Sequence, residues 1–320
     1  MKIFISILLF INPIIYCLSQ GSGNSISFNG SNNYINVGSN LVLSNSFTIT
    51  FWVKTTNDNA MSILSYGSSN LTSPHVFIGI GNNWTGSITN ELITISKING
   101  GASNFACTSA DRSVLFDGSW HHVAITFDGV NNYSFYIDGI FYPTVVGQLF
   151  AGYNLDGISS NYGYIGTRQY NSAFSTYFNG QLDELTIWNT PLSMNTIRDW
   201  MCKKITSAHP NYVNLTRYYN FDEGTGNILT DNSTSALDGT LMNPPNWIVS
   251  GAPIGDVSDW ISNVNIGDFV NLSHINGDNL TATLTSGSAP LMQVYLVNEE
   301  PNVTSPPLPF DQLSQSNYFG

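Results

Sequence analysis

The segment spanning residues 118–139 constrains the fold more than any other part of the chain. It reads Gly118-Ser119-Trp120-His121-His122-Val123-Ala124-Ile125-Thr126-Phe127, then Asp128-Gly129, then Tyr133-Ser134-Phe135-Tyr136-Ile137-Asp138-Gly139. On an extended backbone Val123, Ile125 and Phe127 share one face, and His122, Ala124 and Thr126 share the other. Tyr133, Phe135 and Ile137 alternate in the same way. Period-two alternation on both sides of Asp/Asn/Gly turn residues predicts a β-hairpin. Asp138-Gly139, with Ile140-Phe141-Tyr142 returning, predicts a second tight turn, because Asp-Gly tolerates the positive φ angles of a type I′ turn.

The same pattern recurs upstream. Ser25-Ile26-Ser27-Phe28-Asn29-Gly30 and Tyr34-Ile35-Asn36-Val37-Gly38 flank a polar turn. Phe47-Thr48-Ile49-Thr50-Phe51-Trp52-Val53-Lys54 carries the β-branched and aromatic side chains that suit a half-buried pleated surface. Ser62-Ile63-Leu64-Ser65-Tyr66, Val76-Phe77-Ile78-Gly79-Ile80 and Leu92-Ile93-Thr94-Ile95 follow at short spacing. Short strands at regular intervals predict an all-β sandwich or barrel. Composition agrees: only 9% of residues are charged, well below the usual quarter. Polarity comes from Asn, Ser, Thr and Gly, which favour turns over helices.

The formal net charge is -12. A basic patch for nucleic acid or an anionic membrane needs clustered Lys and Arg, and Lys203-Lys204 is the one adjacent pair. The acidic balance suits divalent cations or neutral ligands such as glycans, and equally suits a secreted protein kept soluble by its charge. Met1-Lys2, an apolar run over residues 3–15 and Cys17-Leu18-Ser19 have the layout of a signal peptide. Residues 1–19 are therefore predicted to be a cleaved leader, and the product secreted or held at the cell surface. No other apolar run approaches the length of a membrane span. Cys107 and Cys202 remain, an even pair compatible with one disulfide in an exported protein.

Phe28-Asn29-Gly30, Tyr34-Ile35, Phe47-Thr48-Ile49, Trp52-Val53-Lys54 and Trp120-His121-His122-Val123-Ala124, in this order and spacing, resemble the laminin-G-like jelly roll of the concanavalin A-like lectin/glucanase superfamily. Tyr164-Ile165-Gly166 resembles its next strand. Phe178-Asn179-Gly180-Gln181-Leu182-Asp183-Glu184-Leu185-Thr186-Ile187-Trp188-Asn189 resembles its closing strand, and Pro191-Leu192-Ser193 its tail. The resemblance covers residues 25–205. It implies an antiparallel jelly-roll β-sandwich with one short helix.

That helix has evidence of its own. Ser193 is an N-cap candidate, Met194, Ile197, Met201 and Ile205 recur at helical spacing, and Lys203 and Lys204 suit the negative end of the helix dipole. The next segment, Tyr218-Tyr219-Asn220-Phe221-Asp222-Glu223-Gly224-Thr225-Gly226 through Trp247, resembles the family's opening segment, yet it follows the helix. Either a second sandwich begins here or residues 218–247 complete the first in permuted order. Completion is the better reading, since no second Trp-His-His-Val-type strand follows and sandwich termini often lie close together. The expected layout is a sandwich over residues 20–254 and a small β-rich extension over 255–320, short enough to be a truncated module.

Several residues are candidates for chemistry. Adjacent strand residues point to opposite faces, so His121 and His122 cannot share one metal; the expectation is one packed and one exposed. The same geometry separates Asp183 from Glu184. The glucanase branch of the superfamily carries alternating acidic residues on one strand, but Gln181 and Leu185 flank Asp183, so that motif is absent and glycoside hydrolysis is not expected by this route. The resemblance implies that Asp183 supplies an oxygen to a structural calcium ion, with Asn29 and Asn179 as further oxygen donors; Asp183 bonding loop amides without metal is an equal alternative. Trp84, Tyr170, Phe174 and Tyr177 are candidate ligand-binding residues, because flat aromatic rings stack on sugar rings; packing beneath their own loops is the competing reading. The function expected from these features is a non-enzymatic module recognising glycans or extracellular surface proteins, assisted by calcium. The alternatives are a carbohydrate-active enzyme or its accessory domain, and a structural spacer in a larger surface protein.

Overall fold

The computed structural model describes residues 23–39, 41, 43–67, 75–82, 90–99, 102–130, 132–147, 162–170, 172–275, 277–297 and 318–319. Residues 1–19, where a leader is predicted, and Trp84 lie outside the described residues. The described chain forms two compact units, one of Asn24–Leu192 with Asn211–Ile248, the other of Ser193–Pro210 with the C-terminal region from Val249.

In the first unit the strands are β1 Asn24–Asn29, β2 Tyr34–Asn36, β3 Phe47–Lys54, β4 Met61–Gly67, β5 His75–Ile80, β6 Glu91–Asn99 and β7 Ala102–Ser109. Then come β8 Trp120–Phe127, β9 Tyr133–Ile137, β10 Ile140–Tyr142, β11 Thr144–Gly147, β12 Tyr162–Ile165, β13 Arg168–Tyr170, β14 Ala173–Ser175 and β15 Asn179–Trp188. After the intervening helix the chain returns as β16 Leu215–Tyr219, β17 Ile228–Leu229, β18 Gly239–Met242 and β19 Asn246–Val249.

Two antiparallel sheets make a jelly-roll sandwich. The first sheet runs β10-β9-β8-β3-β15-β1-β19, with β16 also paired to β15, and the second runs β11-β7-β6-β5-β4-β12-β2-β18-β17. Strands from residues 215–249 thus lie in both sheets. Apolar residues face inward because the pleat sends alternate side chains to one side: Ile49, Phe51, Val53, Val123, Ile125 and Phe127 meet Ile63, Tyr66, Val76, Ile78, Ile93 and Ile95 in one buried core. The turn between β9 and β10 has Asp138 at φ 50 and Gly139 at φ 69, and Ile137 pairs with Ile140 across it, as a two-residue type I′ connection requires.

Among the described residues the second unit holds the helix, α1 Met194–Trp200, and the strands β20 Val257–Asn265, β21 Phe269–Ser273, β22 Asn279–Thr283, β23 Ser288–Val297 and β24 Tyr318–Phe319. Ser193 Oγ accepts from Thr196 N at 3.1 Å, which makes it the N-cap. The helix ends before Ile205, so the expected apolar stripe is shorter: Ile197 and Met201 are buried, and Lys203 lies past the helix with Nζ 4.6 Å from the Trp200 ring centre. The helix groups with the C-terminal strands instead of the sandwich, which differs from a boundary at 254–255. Val270, Leu272, Leu280, Ala282, Val294 and Leu296 form this unit's own core.

Candidate functional site

The candidate site grows from the strand β12. Tyr162-Gly163-Tyr164 alternates so that both tyrosines reach the outer face of the second sheet while Gly163 points inward. A Cβ on Gly163 would meet Gly38 O at 2.9 Å and Leu41 Cβ at 3.0 Å, so close packing requires glycine there. The chain then turns at Gly166 and forms the hairpin β13–β14, in which Arg168 pairs with Ser175 and Gln169 with Phe174. This hairpin is fastened to β4. Ser65 Oγ donates to Thr167 O at 2.9 Å, Ser62 N donates to Thr176 O at 2.9 Å, and the hydroxyls of Ser62 and Thr176 meet at 2.8 Å. Tyr162 OH donates to Gln169 O at 3.0 Å.

The fastening brings together rings from three parts of the chain. Tyr164 stacks on Tyr162 at 4.9 Å and meets Phe174 at 5.1 Å and Tyr34 at 5.5 Å, while Tyr34 and Phe174 are 4.7 Å apart. Tyr34, Tyr164 and Phe174 are each half-buried, so part of each ring remains accessible. Desolvation raises the Tyr164 hydroxyl above its ordinary pKa, followed by the neighbouring Tyr34, and the same two causes raise Tyr177. The Arg168 guanidinium lies 4.6 Å from the Phe77 ring centre. Exposed Asn36 and Thr240 stand beside Tyr164 in register, adding polar groups to an aromatic platform.

Of the aromatic residues expected from sequence, Phe174 is in this cluster and Tyr177 is next to Tyr34. Tyr170 pairs with Ala173 in β13; its side chain and Trp84 lie outside the described residues. Tyr34, Tyr162 and Tyr164 were not among the candidates. The available clue was the Tyr-Gly-Tyr alternation, in which a glycine between two same-face aromatics marks a close backbone approach.

Asp183, Asn29 and Asn179 do not form one calcium centre. Asn29 and Asn179 are cross-strand neighbours, but Asp183 is four residues further along β15, about 13 Å away at strand rise, whereas one Ca²⁺ needs all its oxygens within about 2.6 Å. Asn29 Oδ1 instead closes the β1–β2 turn, accepting from the amides of Ser31 at 2.9 Å and Asn32 at 3.2 Å. Asp183 is 1% exposed and its Oδ1 accepts from Glu184 N at 2.9 Å. Glu184 sits at φ 49 in a bulge, and its Oε2 accepts from Tyr218 OH at 2.6 Å. Among the described residues no group of three or more His, Cys, Asp or Glu side chains is placed to hold a metal ion.

The histidine pair separates as strand geometry requires, though neither ring is simply exposed. His121 Nδ1 is 2.7 Å from Asp138 Oδ2 and its Nε2 is 3.1 Å from Asp117 Oδ1. Burial alone would lower its pKa, but hydrogen bonds and charge from Asp138 and then Asp117 outweigh that and raise it to about 9. His122 is buried edge-on to Trp52 at 5.4 Å, and burial lowers it to about 4.

The expected Cys107–Cys202 disulfide is not formed. Both are buried thiols, Cys107 in β7 of the sandwich opposite Thr94 and Cys202 in the other unit. Burial, then the charge of Glu91, pushes the Cys107 thiol up to about 12.

The architecture is similar to that of several solved structures. A candidate carbohydrate-binding protein from Bacteroides ovatus superposes with a TM-score of 0.50 at 19% identity, over 74% of this chain and 62% of that one, so the chain spans less than two thirds of that protein. The CBM40 domain of Ruminococcus gnavus IT-sialidase, bound to α2,3-sialyllactose, gives 0.40 at 17% identity, over 53% of this chain and 92% of that one. Domains LG4-5 of the mouse laminin α1 chain give 0.38 at 13%, over 61% and 47%. No curated protein matches this sequence. A laminin-G family model (Laminin_G_3) matches residues 29–198, more than half of the 320-residue chain. The chain belongs to that family, within the concanavalin A-like lectin/glucanases superfamily.

Proposed function

We propose that the chain is a secreted or cell-surface module that binds glycans without hydrolysing them, and that the cluster of Tyr34, Tyr164 and Phe174 is its contact surface. One observation carries this reading: three half-buried rings from β2, β12 and β14 are locked together by the fastened hairpin, with exposed Asn36 and Thr240 alongside. Flat, partly apolar faces stack on sugar rings, and neighbouring amides and hydroxyls reach sugar hydroxyls. Because the rings are already held in place, little side-chain entropy is lost on binding. Export is part of the proposal and is supported by the leader-like residues 1–19. The buried carboxylates Asp183 and Glu184 are engaged in the strand, which favours binding over catalysis.

Glycan-array binding with the wild type and with Tyr164→Ala tests it. The wild type should bind one glycan class and the variant should lose that signal by about tenfold or more. No binding at high protein concentration would sink the reading. A parallel array in chelator reads calcium assistance: signal lost in chelator and restored by Ca²⁺ supports it, and unchanged signal removes it.

A further inference from the structure

The outer face of the first sheet carries a second, separate feature. Trp120, Lys54, Gln181 and Ser27 lie in register across β8, β3, β15 and β1. Val53, Leu182, Ile26 and Val123 point into the core, so strand alternation turns these four side chains outward. All four are half-buried, while the next row, His122, Trp52 and Asp183, is buried. Among the described residues, none of the four side chains makes a hydrogen bond, ion pair or ring contact. The indole N–H, the ammonium, the amide and the hydroxyl are thus arrayed along a line of about 14 Å, three strand spacings.

The charge pattern narrows what such a row would take. In a chain with a formal charge of -12, carboxylate partners are abundant, yet Lys54 has none. Asp117 and Asp138, beside the neighbouring His121, are already engaged by it at 3.1 and 2.7 Å. We propose that this row is a second ligand site, for an anionic saccharide. Trp120 stacks on a sugar ring, Lys54 pairs with a carboxylate or sulfate on the sugar, and Gln181 and Ser27 bond its hydroxyls. The site stands on the sheet opposite the Tyr34–Tyr164–Phe174 cluster and does not depend on it.

Calorimetric titration of the full chain with trigalacturonate, a sulfated galactan trisaccharide and uncharged cellotriose tests the assignment. At least one anionic sugar should bind, about tenfold or more tighter than cellotriose, and which one binds separates carboxylate from sulfate. Trp120→Ala and Lys54→Gln should each weaken that binding about tenfold or more, while Tyr164→Ala leaves it intact. Lys54 is half-buried and its side chain makes no hydrogen bond or ion pair among the described residues, so Lys54→Gln keeps the test valid if Trp120→Ala fails to fold. The proposal is overturned by no binding of either anionic sugar, by equal binding of cellotriose, by full affinity in Lys54→Gln, or by loss of affinity in Tyr164→Ala.

Discussion

Two hairpins of this molecule are about the same size and are built in opposite ways. The β9–β10 hairpin is specified by its own residues: Asp138 and Gly139 take the two positive φ angles of the turn, and Phe135 and Ile137 anchor it in the core. The β13–β14 hairpin has three-residue strands, no fully buried side chain in β14, and a turn with Ser172 at φ 60. It is held by hydroxyl and backbone bonds to β4 and by rings from β2 and β12. The first stabilises the sandwich; the second uses the sandwich as a support. Their separation lets mutations split stability from binding.

The largest effect should come from the core contact of the locally specified hairpin, where Tyr133 of β9 packs on Phe127 of β8. Phe127 is 1% exposed and stacks on Tyr133 at 4.3 Å. Phe127→Ala should destabilise the sandwich by about 3–5 kcal/mol, through lost transfer energy and the cavity left behind, as read by denaturant unfolding. A variant that unfolds with wild-type stability would break the comparison at its base.

The next effect is a pH dependence at the turn of the same hairpin, where Asp138 meets His121 of β8. His121 is held near pKa 9, above its ordinary 6.5, so folding favours the protonated ring. That contribution is complete below pH 6.5 and is lost as pH rises through 9. It should amount to about 2 kcal/mol, from roughly 1.4 kcal/mol per pKa unit reduced for the solvent at both aspartates. Stability of the wild type should fall between these pH values, and His121→Gln should flatten that fall. An equal slope in the variant would remove the Asp117–His121–Asp138 bridge from the account.

Legibility in the sequence followed the same division. Residues 120–142 were readable because period-two alternation and Asp-Gly turn chemistry are local. The aromatic cluster was only partly readable. Phe174 and Tyr177 are conspicuous in a polar segment, but the short β13 and β14 strands carry no alternation, so the segment read as a loop. Tyr34 joins Phe174 only through the pairing of β2 with β12, a contact between residues far apart in sequence. The calcium set misled for a related reason. Asn29 and Asn179 do meet across strands, but Asp183 is displaced along β15, and residue type alone does not measure that displacement. The two buried thiols could likewise be counted but not located.

On the tertiary side, effects on stability should be smaller and effects on binding larger. Tyr164→Ala removes a half-buried ring and its contacts with Tyr34, Tyr162 and Phe174. A cost of about 1–2 kcal/mol is expected, from aromatic pair energies of about 0.5–1.5 kcal/mol each with partial relaxation, together with loss of glycan binding. Measuring unfolding and binding on one preparation checks both, and a variant that binds normally while losing more stability than Phe127→Ala would reverse the roles of the two hairpins.

The smallest effect distinguishes the turns themselves. Ser172 is exposed and holds φ 60 without the glycine that such a conformation favours. Ser172→Gly removes the Cβ clash of the left-handed region, worth about 1 kcal/mol, but adds backbone freedom to the unfolded chain, worth up to a similar amount. The net change in stability should therefore stay within about 0.5 kcal/mol, measurable as a small shift in denaturant midpoint. Binding should not change, because the hairpin is positioned by Ser62, Ser65 and Tyr162 and not by its tip. A clear loss of binding in Ser172→Gly would mean that the turn conformation itself presents the aromatic cluster, and would place the β13–β14 hairpin closer to β9–β10 in kind than the bonds along its length imply.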